Sequence, residues 1–156
     1  TVKYLIRPSE GDAVEAVFMG HGDRVTLCLS SQVGCALGCE FCLTARMGLV
    51  RQMSAGEILE QIVLLFAEHD LTDRRFNLVF MGMGEPLANL DRLLPALDLA
   101  SSVDGLGISA RRITISCRST GRSVSTGITR SAPYFASSGA HSAAPGPSAS
   151  ASGKPQ

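Results

Sequence analysis

Three of the five cysteines in this chain of 156 residues lie within eight positions, at C-x3-C-x2-C spacing. They are Cys35, Cys39 and Cys42. Thiolates at this density favour zinc or an iron–sulfur cluster over a hard cation. A structural zinc site usually closes four ligands, and a disulfide would leave one thiol of the three over. Three cysteines on a four-iron cluster leave one iron without a protein ligand, which is a position where chemistry can take place.

The cysteine loop resembles the cluster loop of radical S-adenosylmethionine (SAM) enzymes, because an aromatic residue, Phe41, directly precedes the third cysteine. Two flanking stretches, 26–35 and 81–87, narrow the resemblance to the RlmN and Cfr group of radical-SAM adenine methyltransferases. The similarity runs from the first residues to Ser116. It implies a 4Fe-4S cluster held by the three cysteines, with SAM bound at the open iron and cleaved by an electron from a donor such as flavodoxin or ferredoxin.

The same resemblance implies a substrate and further site residues. The activity it implies is methylation of C2 of adenine in 23S ribosomal RNA, and also in transfer RNA, through a methyl-cysteine relay. Gly84, Glu85 and Ser116 match SAM contacts, Cys28 the thiol that resolves the RNA adduct, and Glu15 a proton acceptor. Without the resemblance, each position has a simpler interpretation. Gly84 and Glu85 belong to a turn that ends a strand, and Ser116 is a serine in a strand. Cys28 is a small buried side chain, and Glu15 is an exposed glutamate.

The hydrophobic pattern predicts the elements that position these residues. Runs of Val, Leu and Ile at 2–6, 13–19 and 24–29, separated by turn-forming residues, predict two hairpins that lead into a first core strand. Ser54 and Glu57 have the spacing of a capping box. Apolar residues at helical spacing follow them, so a helix is expected at 55–69.

The remaining pattern predicts a parallel α/β fold. An apolar run at 77–81 indicates a buried strand, 90–100 a second helix that contains Pro95, and 112–116 a third strand. Strand, helix, strand, helix, strand favours parallel βαβ units. The motifs then follow the carboxyl ends of the strands, where such folds carry their active sites. The resemblance implies a truncated partial (βα)6 barrel, with about three units present.

Composition divides the chain into three parts. We expect a β-hairpin region at 1–23, a partial radical-SAM core at 24–117 and a disordered tail at 118–156. Disorder is expected for the tail because it has 10 Ser, 7 Ala, 5 Gly and 4 Pro among its 39 residues.

Residues 1–117 hold all 14 acidic side chains and 10 Lys and Arg, so their charge does not indicate a nucleic-acid binder. Arg46 and Arg51, together with the arginines at 111–112, are candidates for phosphate contacts or are more simply solvated.

The sequence also predicts a location and a fragment. No apolar run approaches the ~20 residues of a membrane helix, and no signal peptide is evident, which predicts a cytoplasmic protein without a membrane partner. The chain begins with Thr1, and the family's methyl-carrying cysteine has no match after Cys117. We therefore expect an incomplete chain, arising from a frameshift or a truncation near codon 117, that does not transfer methyl groups. The alternative is a non-catalytic iron–sulfur or zinc-binding fragment.

Overall fold

The computed structural model describes residues 1–8 and 11–117. The predicted disorder of 118–156 concerns residues outside this part. Seven strands and three helices are described: β1 (Val2–Ile6), β2 (Val14–His21), β3 (Arg24–Cys28), β4 (Gln32–Gly34), α1 (Leu43–Arg46), β5 (Leu49–Gln52), α2 (Ala55–Glu68), β6 (Phe76–Phe80), α3 (Leu90–Ser101) and β7 (Ile113–Ile115). Short 3-10 turns at Pro86–Asn89 and Ala110–Arg112 precede α3 and β7. None of the described helices is long and apolar enough to cross a membrane.

Five strands form one sheet in the order β1-β2-β3-β6-β7. β1 pairs antiparallel with β2, and β2 pairs antiparallel with β3, so the two predicted hairpins are confirmed. β3, β6 and β7 are parallel neighbours, which confirms the predicted βαβ arrangement and the mixed α/β class. β1 and β2 belong to the same sheet as the core strands, so no break in the sheet marks a domain boundary at residue 23. That boundary stays a prediction.

The core lies between one face of this sheet and helices α2 and α3. Alternate strand residues, such as Leu27 and Leu78, are fully buried and pack with Ile62 of α2 and Leu93 of α3. Burying each such side chain stabilises the fold by about 1.5–3 kcal/mol. Residues of the opposite parity, such as Cys28, are only partly buried. The sheet therefore presents a second face, free of the described helices, next to the carboxyl ends of its parallel strands.

Helix α2 begins at the predicted capping box. The Ser54 hydroxyl accepts a hydrogen bond from the Glu57 amide (3.3 Å), and the Glu57 carboxylate accepts one from the Ser54 amide (2.8 Å). Arg51 holds the same carboxylate with two guanidinium nitrogens, at 2.7 and 2.9 Å. The hydrogen bonds from Arg51, more than any other cause, hold the pKa of Glu57 below its usual range. The predicted helix 55–69 is confirmed, with His69 as its C-cap.

A two-stranded ribbon of β4 and β5 was not predicted. Its strands have only three and four residues, too few for a periodic pattern. The ribbon closes at Gly34, where an added Cβ would lie 1.9 Å from the Gly48 carbonyl oxygen, so only glycine fits. Helix α3 continues through Pro95 as predicted, because this residue is exposed and the carbonyl that its ring leaves without a helical donor is open to water.

Candidate functional site

The segments that follow β3 and β6 are joined by backbone hydrogen bonds. The Leu29 amide donates to the Val79 carbonyl (2.9 Å), and the Gly82 amide donates back to the Leu29 carbonyl (3.0 Å). One step further, the Ser31 amide donates to the Met83 carbonyl (2.9 Å). The turn after β6 is therefore fixed to the segment that leads from β3 into the cysteine loop.

Ser30 connects this junction, between the segment after β3 and the turn after β6, to two further elements, β2 and α2. Its hydroxyl donates to the Glu15 carbonyl of β2 (2.6 Å) and accepts from the Met83 amide (2.8 Å). Its backbone amide and carbonyl are both bound by the Gln61 side chain of α2, at 3.0 and 2.9 Å. Ser30 and Gln61 are fully buried, so these bonds are shielded from water and leave no buried polar group of Ser30 unsatisfied.

Buried amide side chains complete the junction, and the sequence analysis did not single them out. Gln32 accepts a hydrogen bond from the Glu85 amide (2.8 Å). Asn89 donates to the carbonyls of Ser31 (2.7 Å) and Met53 (2.8 Å). Such carboxamides carry no motif of their own. A buried role for Gln61 could have been inferred from the sequence, because a polar residue on the apolar face of a helix must find a buried partner.

Two glycines allow the turn after β6 to approach this segment closely. A Cβ on Gly82 would lie 2.7 Å from the Leu29 carbonyl oxygen, and one on Gly84 would lie 2.5 Å from the Gln32 Cβ. Gly84 also has a φ of +95°, which disfavours other residues. The family resemblance predicts that Gly84 contacts SAM. The structure shows that the two glycines allow two chain segments to pack, and the role of Gly84 as a SAM contact stays a prediction.

The three predicted cluster cysteines lie on the loop between β4 and the start of α1. Cys35 is buried, and its amide donates to the Gly48 carbonyl of the neighbouring ribbon (2.9 Å). Cys39 and Cys42 are partly exposed and joined by a backbone hydrogen bond from the Cys42 amide to the Cys39 carbonyl (3.0 Å). All three thiols are free. The loop is thus anchored to the ribbon at Cys35 and open at its other two thiols.

The donor set of this loop suits a soft metal centre. The amide of Ala45, followed by that of Thr44, lowers the pKa of the Cys42 thiol, which favours the thiolate that metals require. Within residues 1–8 and 11–117, no group of three or more His, Cys, Asp or Glu is arranged to hold one metal ion. That finding concerns a single ion, whereas the cysteines of a cluster bind separate irons. The residue types present fit a cluster with three protein thiolates.

Cys28 is the last residue of β3 and lies on the sheet face away from the helices, between Val17 of β2 and Val79 of β6. Burial raises the pKa of its thiol, and a hydrogen bond with the Met81 backbone partly opposes this shift. The thiol is therefore mainly protonated at neutral pH. Its position near the carboxyl ends of the strands brings it to the same edge as the turn after β6.

The other two predicted residues reach this edge from either side. Glu15 lies on β2 with its side chain 45% exposed, and its carboxylate forms an ion pair with Lys3 (2.6 Å). Its backbone, and not its side chain, is bound into the junction through Ser30. Ser116 directly follows β7, where its amide donates a long hydrogen bond to the Phe80 carbonyl (3.4 Å). The catalytic and SAM-binding roles of these residues stay predictions.

No family model matches the chain, but several curated proteins are similar to it. A probable dual-specificity RNA methyltransferase RlmN of Rhodopirellula baltica is 53% identical over 116 residues, which are 74% of this chain and 31% of the relative. The RlmN enzymes of Syntrophobacter fumaroxidans and Geotalea uraniireducens are 49% and 47% identical, over 74% of this chain and 34% and 33% of theirs. Over these residues, the chain is similar to one part of the RlmN dual-specificity RNA methyltransferases.

A solved structure of a radical SAM methyltransferase is also similar to this chain. The crystal structure of a radical SAM methyltransferase from Sphaerobacter thermophilus superposes with a TM-score of 0.69 at 41% identity, and covers 74% of this chain and 34% of that one. The chain spans about a third of the length of the curated RlmN relatives that it matches. The similarity therefore identifies one part of an RlmN-type protein, and the activity of the whole enzyme is a separate question.

Proposed function

We propose that residues 1–117 form the cluster-binding and SAM-binding part of a radical SAM RNA methyltransferase. The observation that carries the proposal is the junction at the carboxyl ends of β3 and β6, where the Glu85 turn is bound to the segment that enters the cysteine loop. This junction keeps two predicted binding elements beside each other. The relatives at about 50% identity are named as dual-specificity RNA methyltransferases, which supports an RNA substrate.

In this proposal, Cys35, Cys39 and Cys42 hold a 4Fe-4S cluster, which when bound supplies the electron that cleaves SAM. Cys35, buried and bound to the ribbon, anchors the loop, while the two partly exposed thiols complete the ligand set. Gly84 and Glu85 bind SAM together with Ser116. A carboxylate such as that of Glu85 accepts hydrogen bonds from an ammonium or a ribose hydroxyl.

The reaction that we propose is methylation of C2 of adenine in 23S ribosomal RNA and in transfer RNA. Cys28, on the open face of the sheet, is the thiol that resolves a covalent RNA adduct, and Glu15 accepts a proton. An adenine must leave its stack to reach such a face. Flavodoxin or ferredoxin is the proposed electron donor, and the cytoplasm the proposed location. We also propose that the three parallel strands are half of a six-unit partial barrel.

Anaerobic reconstitution tests the metal centre. The 156-residue chain is incubated with iron, sulfide and reductant, then desalted, and its iron and acid-labile sulfide are quantified. We expect a brown protein with near-equal iron and sulfide, and an electron paramagnetic resonance spectrum that changes when SAM is added. The triple variant C35A/C39A/C42A should lose iron and sulfide, while C117A, which changes a cysteine outside the loop, should keep both. Equal uptake by the triple variant would refute the proposal.

The same experiment separates the zinc alternative. A colourless protein that binds one equivalent of zinc and no sulfide would indicate a metal-binding fragment.

A labelled-methyl assay on ribosomal RNA tests activity separately. These 156 residues are expected to give no methylated RNA, because they show no match to the methyl-carrying cysteine of the family. Methylated product from this chain would refute the expectation of inactivity and leave the assignment of the cluster intact.

A further inference from the structure

The sheet edge opposite the cysteine loop carries a cavity of about 1040 Å³. It opens where the three parallel strands begin, because its lining includes Arg24 at the start of β3, Phe76 at the start of β6 and Arg112 just before β7. Parallel strands place all their amino ends at one edge. The cavity is therefore separate from the candidate cluster and SAM site, which lies at their carboxyl ends.

Positive charge is concentrated around this cavity. Residues 1–117 contain ten Lys and Arg and fourteen Asp and Glu, yet one acidic residue, Asp23, lines the cavity together with half of the basic ones. The five basic residues are Arg24, Arg74, Arg75, Arg111 and Arg112. No ion pair links any of them to a carboxylate of the described residues. Five neighbouring cations repel one another, and a bound anion removes that repulsion.

The arginines keep donors available for such an anion. Arg74 donates one long hydrogen bond to the Gly22 carbonyl (3.3 Å), and Arg112 donates one to the Phe76 carbonyl (3.5 Å). A guanidinium has five N–H donors in a planar fork. These contacts hold the two side chains at the rim and leave most of their donors for a ligand. Planar forks match phosphate oxygens better than any other side chain does.

Apolar and aromatic side chains form the inner part of the cavity. The rings of Phe66 and Phe76 meet edge to face with centroids 5.9 Å apart, and Leu71 and Ile108 are buried beside them. A cationic rim over an apolar floor suits a ligand that carries both phosphate and a flat, weakly polar ring. The volume of about 1040 Å³ slightly exceeds the range of roughly 300–1,000 Å³ seen for small-molecule sites, so the cavity has room for a nucleotide.

We propose that this cavity binds a nucleotide, with phosphate oxygens on the arginine rim and the base on the apolar floor. The site goes beyond the proposed methyltransferase function and does not depend on it. Two sources carry the same ligand chemistry: a free nucleotide, or a nucleotide within an RNA strand.

Binding of three probes to the full chain tests the proposal at about 50 mM salt, where phosphate contacts are strongest. The probes are ADP, pyrophosphate and a fluorescent ten-nucleotide RNA. The variant R75Q/R111Q removes two exposed arginines of the cavity, and R7Q/R92Q removes two exposed arginines elsewhere with the same change in net charge. Circular dichroism confirms that both variants keep the wild-type spectrum.

We expect the cavity variant to bind ADP at least tenfold more weakly, since it loses two charged hydrogen-bond donors. The control should bind within twofold of wild type. ADP binding tighter than RNA binding would indicate a free nucleotide, and tighter RNA binding that is lost in the same variant would indicate an RNA strand. Equal weakening in both variants, or no binding of any probe, would overturn the proposal.

A second measurement needs no substitution. Phenylglyoxal modifies accessible arginines, and mass spectrometry reports each position. Saturating ADP should protect Arg75 and Arg111 and leave Arg7 modified as before. Protection of all three residues alike, or of none, would contradict a nucleotide in this cavity.

Discussion

The side-chain oxygen of Gln32 accepts a hydrogen bond from the backbone amide of Glu85, 53 positions later in the chain, over 2.8 Å. Gln32 is 1% exposed, and its NH2 group donates to the Gln52 side chain at 2.9 Å. One buried carboxamide on β4 thus joins both strands of the ribbon to the turn after β6. The position of the proposed SAM contact therefore depends on this side chain.

Replacing Gln32 tests that dependence. Q32A leaves the Glu85 amide without this acceptor, and a buried polar group without a partner costs about 1–3 kcal/mol. We expect the free energy of unfolding in urea to fall by that amount, and SAM to bind about tenfold more weakly after reconstitution. Q52A removes the exposed partner of Gln32 and a second hydrogen bond, from Gln52 to the Ala88 carbonyl (2.9 Å). Because Gln52 is exposed to water, this change should cost less than about 1 kcal/mol. Unchanged SAM affinity in Q32A would contradict a positioning role.

The glycines offer a matched pair of substitutions. In G84A, the new Cβ would meet the Gln32 Cβ at 2.5 Å and φ is +95°, so we expect a loss of about 2–4 kcal/mol from clash and backbone strain. In G56A, on α2, the nearest atom would be the Ser54 Oγ at 3.9 Å. This substitution should stabilise the chain by about 0.5–1 kcal/mol. Urea unfolding measures both, and similar effects at the two positions would contradict the packing described here.

Much of the fold was accessible from local sequence signals. The capping box at Ser54 and Glu57 fixes the start of α2 from four adjacent positions, and the alternation of apolar runs and turn residues located the five strands of the main sheet. Some strand ends differ from the prediction by one residue. β6 begins at Phe76 and not at the predicted 77, because the pairing of a terminal residue depends on the neighbouring strand. These signals need no knowledge of the tertiary structure.

The junction at the site was not accessible in the same way. Gln32, Gln61 and Asn89 bind backbone groups that lie 31 to 58 positions away in sequence, and a carboxamide does not specify its partner. The β4–β5 ribbon depends on the contact between Gly34 and Gly48, which forms only after the chain folds back. The motifs identified the candidate site residues, and the structure identified the side chains that hold their segments together.

The capping carboxylate predicts a dependence of stability on pH. Hydrogen bonds from Arg51 lower the pKa of Glu57 in the folded chain, so its stabilising effect is complete above the unfolded value of about 4.3 and is lost as pH falls through the lower folded value. E57Q should therefore destabilise the chain by about 1–3 kcal/mol at pH 7, and the difference from wild type should shrink as the pH falls below ~4.

Urea unfolding at a series of pH values measures this difference. E68Q, at the exposed end of the same helix, serves as the control and should follow the wild-type profile within about 0.5 kcal/mol. A gap between E57Q and wild type that stays constant from neutral to acidic pH would show that the ion pair with Arg51 does not set the effect.

The thiol of Cys28 should react slowly in the folded chain. Burial raises its pKa, and the hydrogen bond with the Met81 backbone only partly opposes this shift, so the reactive thiolate is scarcer than for an ordinary cysteine near 8.5. Iodoacetamide labelling of the metal-free chain, followed by mass spectrometry of the Cys28 peptide, should be slower than labelling of glutathione at about pH 7.5 and should rise to a plateau at higher pH. In about 6 M urea, the same peptide should label at the rate of a free cysteine. Equal rates in folded and unfolded chains would show that Cys28 is neither shielded nor shifted, and that its thiol is not held protonated on the open face of the sheet.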